Sequence, residues 1–281
     1  MHVLPFLLGL VSAVLLAPAL LRMLAQGGHV KANYRGRELP FPFGALVLCA
    51  ALLALIPVVL VQRLGSADVI YPELGPVALY ALGVIALGLI DDTLGEPRTG
   101  EPARRGWRGH GAALLRGELS TGILKAVGSL SLAMLAMAAL GYRSNWRWLL
   151  ATAVLLLATN AFNLLDLRPG RAGKAFVLLG LGLSIGAASL RQLWTLGLFA
   201  APALVAGLYD LRERAMLGDT GANLLGALAG LWLVLTLSGT GQLIALILLA
   251  ALTVYGELRS ISGFVERTPG LRHLDSFGRP A

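Results

Sequence analysis

Residues 75–92 read GPVALYALGVIALGLIDD, an uncharged apolar run that ends in two adjacent aspartates, Asp91 and Asp92. Similar apolar runs recur along the chain. A run of about 20 apolar residues is long enough to cross a hydrocarbon core roughly 30 Å thick. The stretch therefore predicts a membrane-spanning helix that carries two carboxylates at one end.

The composition extends this prediction to the whole chain. Of the 281 residues, 57% are hydrophobic and only 14% are charged, which exceeds the apolar content of an average soluble domain. Because short segments join the apolar runs, we expect an all-α membrane bundle, residues 1–281, with no soluble domain. The nine predicted spans are about 3–24, 43–62, 75–90, 118–140, 147–165, 175–190, 193–209, 221–238 and 241–257.

The basic residues predict an orientation for the bundle. With nine alternating spans, nineteen of the 23 Lys and Arg residues fall on one side, and the positive-inside rule places that side in the cytoplasm. The N-terminus is then outside, while the loop 91–117 and the tail 258–281 are cytoplasmic. The first span lacks the basic front end of a signal peptide, so we expect it to be retained. We therefore expect a multi-pass protein of the cell membrane.

The net charge of +8 reflects the excess of basic residues in the predicted cytoplasmic segments. The basic residues are spread over segments between spans and do not form a folded basic domain, so we expect no nucleic-acid partner. For the acidic residues, an ordinary solvated charge is the expectation at Glu213 and Glu266.

Four aspartates stand at predicted cytoplasmic ends of spans: Asp91, Asp92, Asp166 and Asp219. Ionisable groups at such positions are costly unless they face a polar cavity or a cation, so they indicate a functional site. Two adjacent carboxylates repel each other, and Mg²⁺, which prefers oxygen ligands and binds phosphates, would relieve that repulsion. Basic residues on the same side would complete a diphosphate and magnesium site: Lys125, Arg168, Arg171 and Lys174.

The segment LGDTGANLLG, residues 217–226, precedes an apolar run. Asp219 or Thr220 is a candidate cap for the helix that follows, and Gly218 and Gly221 permit close backbone approach. A helix N-terminus is also a favourable place for phosphate. An ordinary helix cap without a ligand is the alternative interpretation.

The segment NAFNLLD, residues 160–166, places three polar residues on one helix face. Asn160, Asn163 and Asp166 are each three residues apart, the spacing of neighbours on a helix surface. The stripe predicts a site at the membrane boundary. Hydrogen bonding between helices is the alternative.

Five segments in this order resemble the polyprenyl-phosphate N-acetylhexosamine-1-phosphate transferases, the family that includes phospho-N-acetylmuramoyl-pentapeptide transferase. The resemblance covers about residues 30–260, and each motif alone is weak, whereas their order and common predicted side are specific. The segments are NYRGRELPFPFG, GLIDD, LSTGILK, NAFNLLD and LGDTGAN.

The resemblance implies Mg²⁺-dependent transfer of a sugar 1-phosphate from a UDP-sugar to polyprenyl phosphate, with release of UMP, in cell-wall or surface-glycan synthesis. It implies that Asp219 and Asn163 hold Mg²⁺ and that Asp166 lies beside the reacting diphosphate. It further implies that Asp91 and Asp92 bind or activate the lipid phosphate. The substrate-binding residues expected on this basis are Asn33, Lys125, Asn160, Arg168, Arg171 and Gly218.

The chain departs from the family pattern in three places. Pro169 stands where the family commonly has a second aspartate, and Gly95 stands where it has a lysine. The family's tenth span and histidine-rich loop are also missing, since the tail offers only His273. A non-catalytic homologue that binds lipid phosphate or a partner, and a transporter, are therefore the alternatives. The expected partners are the lipid, the nucleotide sugar and the membrane, and a homodimer is compatible with the resemblance.

Overall fold

The computed structural model describes residues 1–65, 67–95 and 121–280, and this part of the chain is mostly helical. Two short strands pair as an antiparallel hairpin, with Val30 opposite Pro40. The elements in chain order are α1 (Leu4–Gln26), β1 (Val30–Ala32), β2 (Glu38–Pro40), α2 (Ala45–Leu64), α3 (Leu74–Leu94), α4 (Thr121–Ala139), α5 (Asn145–Leu165), α6 (Arg171–Gly186), α7 (Arg191–Thr195), α8 (Gly197–Leu211), α9 (Gly218–Thr236), α10 (Gly239–Leu258), α11 (Ile261–Arg267) and α12 (Pro269–Ser276).

Seven of the described helices, α1 to α5, α9 and α10, are long and apolar enough to cross a membrane. This confirms the predicted all-α bundle of a multi-pass membrane protein. The predicted spans 175–190 and 193–209 correspond to α6, with 16 residues, and α8, with 15 residues. At 1.5 Å per residue these helices are only about 24 Å and 22 Å long. The count of nine spans and their orientation stay predictions.

Helix α9 forms the centre of the bundle. In the most apolar stretch of α9, 83% of the residues are buried inside the protein. The corresponding share for α10, at the periphery, is 11%. It packs mainly against α5 and α3. A Cβ on Gly226 would lie 2.6 Å from the carbonyl oxygen of Ala158 and from Cα of Thr159, so this glycine allows α9 and α5 to approach closely.

The hairpin fixes the segment that leads into α9. The Met216 amide donates to the carbonyl of Pro40 at 3.0 Å, and the Met216 carbonyl accepts from Phe43 at 2.8 Å. The Gly44 amide donates to the carbonyl of Leu217 at 2.9 Å. These backbone bonds attach the start of α9 to the start of α2.

Helix α3 continues through Leu94, so Asp91 and Asp92 lie in its last turn. The rest of the predicted loop 91–117, beyond Gly95, lies outside the described residues. The predicted tail 258–281 begins at the end of α10 and includes α11 and α12.

Candidate functional site

The two adjacent aspartates of α3 point to different helices. Successive residues of an α-helix are rotated by about 100° around its axis. Accordingly, Asp92 contacts the start of α9, while Asp91 contacts α4. The pair therefore connects two neighbouring helices through separate contacts.

Asp92 caps α9 from another helix. Its carboxylate accepts hydrogen bonds from the Asp219 amide at 2.9 Å, from the Thr220 amide at 2.8 Å and from the Thr220 hydroxyl at 2.5 Å. Leu217, at the N-cap position, makes no side-chain cap bond. The prediction that Asp219 or Thr220 caps this helix is therefore wrong, because Asp92 satisfies these amides. A carboxylate at a helix N-terminus is also favoured by the helix dipole.

Two glycines make this capping geometry possible. A Cβ on Gly88, one turn before Asp92, would lie 2.5 Å from Cα of Thr220, so only glycine lets α9 approach α3 this closely. Gly218 has a φ of +71°, a conformation that costs glycine little. A Cβ on Gly218 would also lie 2.6 Å from the Asp92 carboxylate.

Lys125 of α4 bridges two of the predicted site residues. Its ammonium lies 2.7 Å from Oδ2 of Asp91 and also donates to Oδ2 of Asp219. The side chains of Lys125, Asp91 and Asp219 are 25%, 18% and 32% exposed, so solvent reaches all three. One cation thus joins carboxylates from α3 and α9 at the same end of the bundle.

Asp166 follows the last residue of α5 and is half-buried. Burial raises the pKa of its carboxyl well above the ordinary value, and the negative charges of Asp210, Asp219 and Asp92 raise this pKa further, while Arg171 opposes the shift. Asp166 therefore lies within electrostatic range of the α3 and α9 aspartates. We call Asp91, Asp92, Asp166 and Asp219, together with Lys125, the aspartate cluster.

Two predicted substrate-binding residues, Asn33 and Asn160, form hydrogen bonds within the protein. Asn33 is buried in the hairpin turn, where its side-chain NH₂ group donates to the Glu213 carboxylate at 3.2 Å. Its side-chain oxygen accepts hydrogen bonds from the backbone amides of Arg35 and Arg37. Asn160 donates to the Thr253 hydroxyl of α10 at 3.3 Å. This bond is the helix-to-helix hydrogen bond that the alternative interpretation of NAFNLLD predicts. Asn163 lies half-buried in the last turn of α5.

The predicted arginines contact the C-terminal segment. Arg168 pairs with Glu266 at 3.2 Å and lies over the Tyr34 ring. Arg171 is 7% exposed and donates to both carboxylate oxygens of Asp275, at 2.8 Å and 3.0 Å. These guanidinium groups are therefore engaged by protein carboxylates. Gly218, by contrast, lies against the aspartate cluster.

Two further acidic residues stabilise the surroundings of the cluster and were missed by the sequence analysis. Asp210 accepts a hydrogen bond from the Gly170 amide at 2.6 Å and so holds the segment that follows Asp166. Glu213 is 2% exposed, so the expectation of a solvated charge there is wrong. Its carboxylate binds Asn33 and Tyr34 inside the fold. Glu266 is exposed, as expected.

Asp91 and Asp219 are the members of the aspartate cluster that could hold a magnesium ion together with a phosphate ligand. Among the described residues, no three or more His, Cys, Asp or Glu side chains form a group that could hold a metal ion. Asp91 and Asp219 nevertheless converge on one cation, the Lys125 ammonium. Mg²⁺ commonly uses one or two carboxylates together with waters and substrate phosphates, so these two carboxylates could supply the protein ligands of such an ion.

Comparisons with known proteins add no assignment. No protein-family model matches the chain, and no curated protein matches it.

Proposed function

We propose that the protein is a membrane phosphoglycosyl transferase that moves a sugar 1-phosphate from a UDP-sugar to polyprenyl phosphate at the cytoplasmic face. The proposal combines the five-motif resemblance with the aspartate cluster. It places the chain in the polyprenyl-phosphate N-acetylhexosamine-1-phosphate transferase family as a divergent member.

The observation that carries the proposal is the bridge from Lys125 to Asp91 and Asp219. Three helices, α3, α4 and α9, bring two carboxylates and an ammonium to one point at the end of a membrane bundle. A mixed group of this kind suits a phosphate ester with its counter-cation, because phosphoryl transfer depends mainly on positioning and charge neutralisation.

In the proposed reaction, an oxygen of the lipid phosphate attacks the phosphorus next to the sugar. The bond from that phosphorus to the bridging oxygen breaks, and UMP leaves with the electron pair. A bound Mg²⁺, held by Asp91 and Asp219, would neutralise phosphate charge. Lys125 would donate a hydrogen bond to a phosphate oxygen.

Asp166 has a separate role in the proposal. Its raised pKa keeps its carboxyl partly protonated at a pH where an ordinary aspartate is ionised. A protonated carboxyl can donate a hydrogen bond to a phosphate oxygen, and a carboxylate can accept a proton from one. Asp92 maintains the position of Asp219 by capping α9.

A second candidate function, binding of a lipid phosphate without turnover, is favoured by one specific observation. Three of the four carboxylates of the cluster already have partners within the protein, since Lys125 forms ion pairs with Asp91 and Asp219 and α9 donates hydrogen bonds to Asp92. Such a self-satisfied cluster can hold the fold together without a metal. Pro169, at the position of a family aspartate, also fits this alternative.

Release of UMP distinguishes the two candidates. Purified protein is incubated with Mg²⁺, polyprenyl phosphate and a panel of UDP-sugars, with Asp219→Asn as the site variant and Asp68→Asn as a matched variant of an exposed aspartate. The transferase proposal expects release that requires lipid, metal and Asp219. Absence of release with every donor, from a folded protein, favours the binding function.

A further inference from the structure

A second concave surface lies beside the segment that leads into α9. It is a half-open pocket of about 410 Å³ lined by Leu208, Tyr209, Arg212, Arg214 and Pro280. We call it the arginine pocket. Its volume falls within the range of small-molecule sites, roughly 300 to 1,000 Å³. It contains none of the residues that the sequence analysis singled out.

The arginines of this pocket are free to bind an anion. Both side chains are exposed, and within residues 1–65, 67–95 and 121–280 neither guanidinium has a hydrogen bond or ion pair. Arg171 and Arg279, in contrast, share the Asp275 carboxylate. An oxyanion ligand at this concave surface could be bound by both guanidinium groups through paired N–H donors.

The residue between the two arginines of the pocket is buried. Glu213 lies between them with a φ of +50°, in the left-handed region that non-glycine residues rarely adopt. Its side chain points into the fold, where it accepts hydrogen bonds from Asn33 and Tyr34, both at 3.2 Å. Arg212 and Arg214, on either side of Glu213, are both exposed and both line the pocket. Local strain of this kind persists where the surroundings enforce it, and it often accompanies function.

The remaining walls of the pocket are also held in place. The Tyr209 ring packs against Phe43 with their centroids 5.1 Å apart. On the other side, Arg35 donates to the Pro280 carbonyl at 3.3 Å, and Arg279 donates to the carbonyl of Pro169 at 2.7 Å. The pocket is therefore lined by an aromatic side chain and two arginines, and its other walls are held by hydrogen bonds and packing.

We propose that the arginine pocket is a binding site for a phosphate-bearing ligand, with Arg212 and Arg214 holding the phosphate and Leu208 and Tyr209 contacting the organic part. The ligand is either a soluble phosphate ester or the headgroup of an anionic lipid. The site is separate from the aspartate cluster and does not depend on the transferase proposal, so binding here without UMP release leaves the inference intact.

The test measures binding of two probes to the full chain in nanodiscs of neutral lipid. Glycerol 3-phosphate represents a soluble phosphate ester, and dihexanoyl phosphatidic acid represents a lipid headgroup. The test variant is Arg212→Gln with Arg214→Gln. The matched control is Arg259→Gln with Arg267→Gln, which removes two exposed arginines outside the pocket.

We expect at least one probe to bind the unaltered protein. The pocket variant should weaken that binding at least tenfold, since charge-assisted hydrogen bonds to phosphate are lost, and the control should change it less than twofold. Stronger binding of glycerol 3-phosphate would identify a soluble ligand, and stronger binding of phosphatidic acid a lipid. The proposal is overturned if neither probe binds, or if the pocket variant and the control bind equally.

A third variant covers the case in which the double glutamine variant fails to fold. Leu208 is 52% exposed at the pocket, so Leu208→Glu adds a carboxylate beside the arginines without disturbing the core. It should also weaken binding tenfold or more by competing for the guanidinium groups. Unchanged affinity in a folded Leu208→Glu protein would count against the pocket.

Discussion

The Asp92 carboxylate accepts two hydrogen bonds from Thr220, one from its amide at 2.8 Å and one from its hydroxyl at 2.5 Å. The two residues are 128 positions apart in the chain. This contact fixes the first turn of the central helix α9 against the last turn of α3. The position of Asp219 therefore depends on Asp92.

Removal of this cap should destabilise the protein. We expect Asp92→Ala to lower the free energy of unfolding by about 1 to 3 kcal/mol, since two amides at the start of α9 and the Thr220 hydroxyl lose their acceptor. Asp92→Asn should cost less because it keeps one acceptor oxygen. Thermal unfolding in detergent measures both, with Asp68→Asn as the exposed control; equal melting temperatures for Asp92→Ala and the control would refute the cap.

The close contact at Gly88 predicts a steric effect. Gly88→Ala should destabilise the bundle by about 1 to 3 kcal/mol, because its Cβ would overlap the Thr220 backbone and force α3 and α9 apart. Gly182→Ala in α6 is the matched control, since the described neighbours leave its Cβ position open within 4 Å. Thermal unfolding should separate the two variants. Similar melting temperatures would mean that α3 and α9 are not this close.

The lysine bridge predicts how magnesium affects stability. Lys125→Met should lower the free energy of unfolding by about 1 to 3 kcal/mol, because the partly buried carboxylates of Asp91 and Asp219 then lack their shared cation. Adding Mg²⁺ should raise the melting temperature of Lys125→Met more than that of the unaltered protein. The double variant Lys125→Met with Asp91→Asn should be less sensitive to Mg²⁺. A melting temperature of Lys125→Met that does not respond to Mg²⁺ would argue against a metal at these carboxylates.

The raised pKa of Asp166 predicts a stability that falls with pH. The folded protein holds this proton more tightly than the unfolded chain, so stability should decrease as pH rises from the ordinary aspartate pKa of 3.8 to the raised value. Asp166→Asn removes the charge and should stabilise the protein at neutral pH while abolishing transfer. The difference in melting temperature between the two proteins should grow with pH. A difference that is constant with pH would show that Asp166 has no raised pKa.

Asp275, in the C-terminal segment, predicts the opposite pH dependence of stability. Burial acts to raise the pKa of Asp275, but hydrogen bonds from Arg171 and Arg279 lower it below the ordinary value. The stabilisation from this carboxylate is therefore complete above pH 3.8 and is lost as pH falls through the lowered pKa. Limited proteolysis should cut the tail of Asp275→Asn faster than that of the unaltered protein at neutral pH, with both equally sensitive at low pH. Equal cleavage rates at neutral pH would contradict stabilisation of the tail by Asp275.

Much of the fold could be predicted from the sequence because the membrane imposes a length and a composition on each span. The end of α3 and the start of α9 were recognisable to within a few residues, since charged residues interrupt the apolar runs at Asp91 and Asp219. The neighbours of each helix were not predictable, because spans such as α9 are apolar on every face. The close approach of Gly88 to Thr220 depends on that missing information.

The candidate site was predictable as a set of residue types but not as contacts. The aspartates of the cluster were identified because charges are costly at span ends. That Asp92 would cap α9 while Asp91 pairs with Lys125 depends on helix rotation and tertiary packing. The burial of Glu213 was missed because its sequence neighbours, Arg212 and Arg214, are those of an exposed loop.

The most direct measurement of the central claim is detection of the lipid product. Unaltered protein and Asp219→Asn are each incubated with Mg²⁺, polyprenyl phosphate and the UDP-sugar panel, and the lipid fraction is analysed by mass spectrometry. If the protein is a transferase, a lipid heavier by one sugar phosphate is formed by the unaltered protein and is absent with Asp219→Asn. No such product from a folded protein with any donor, or equal product from both proteins, would contradict it.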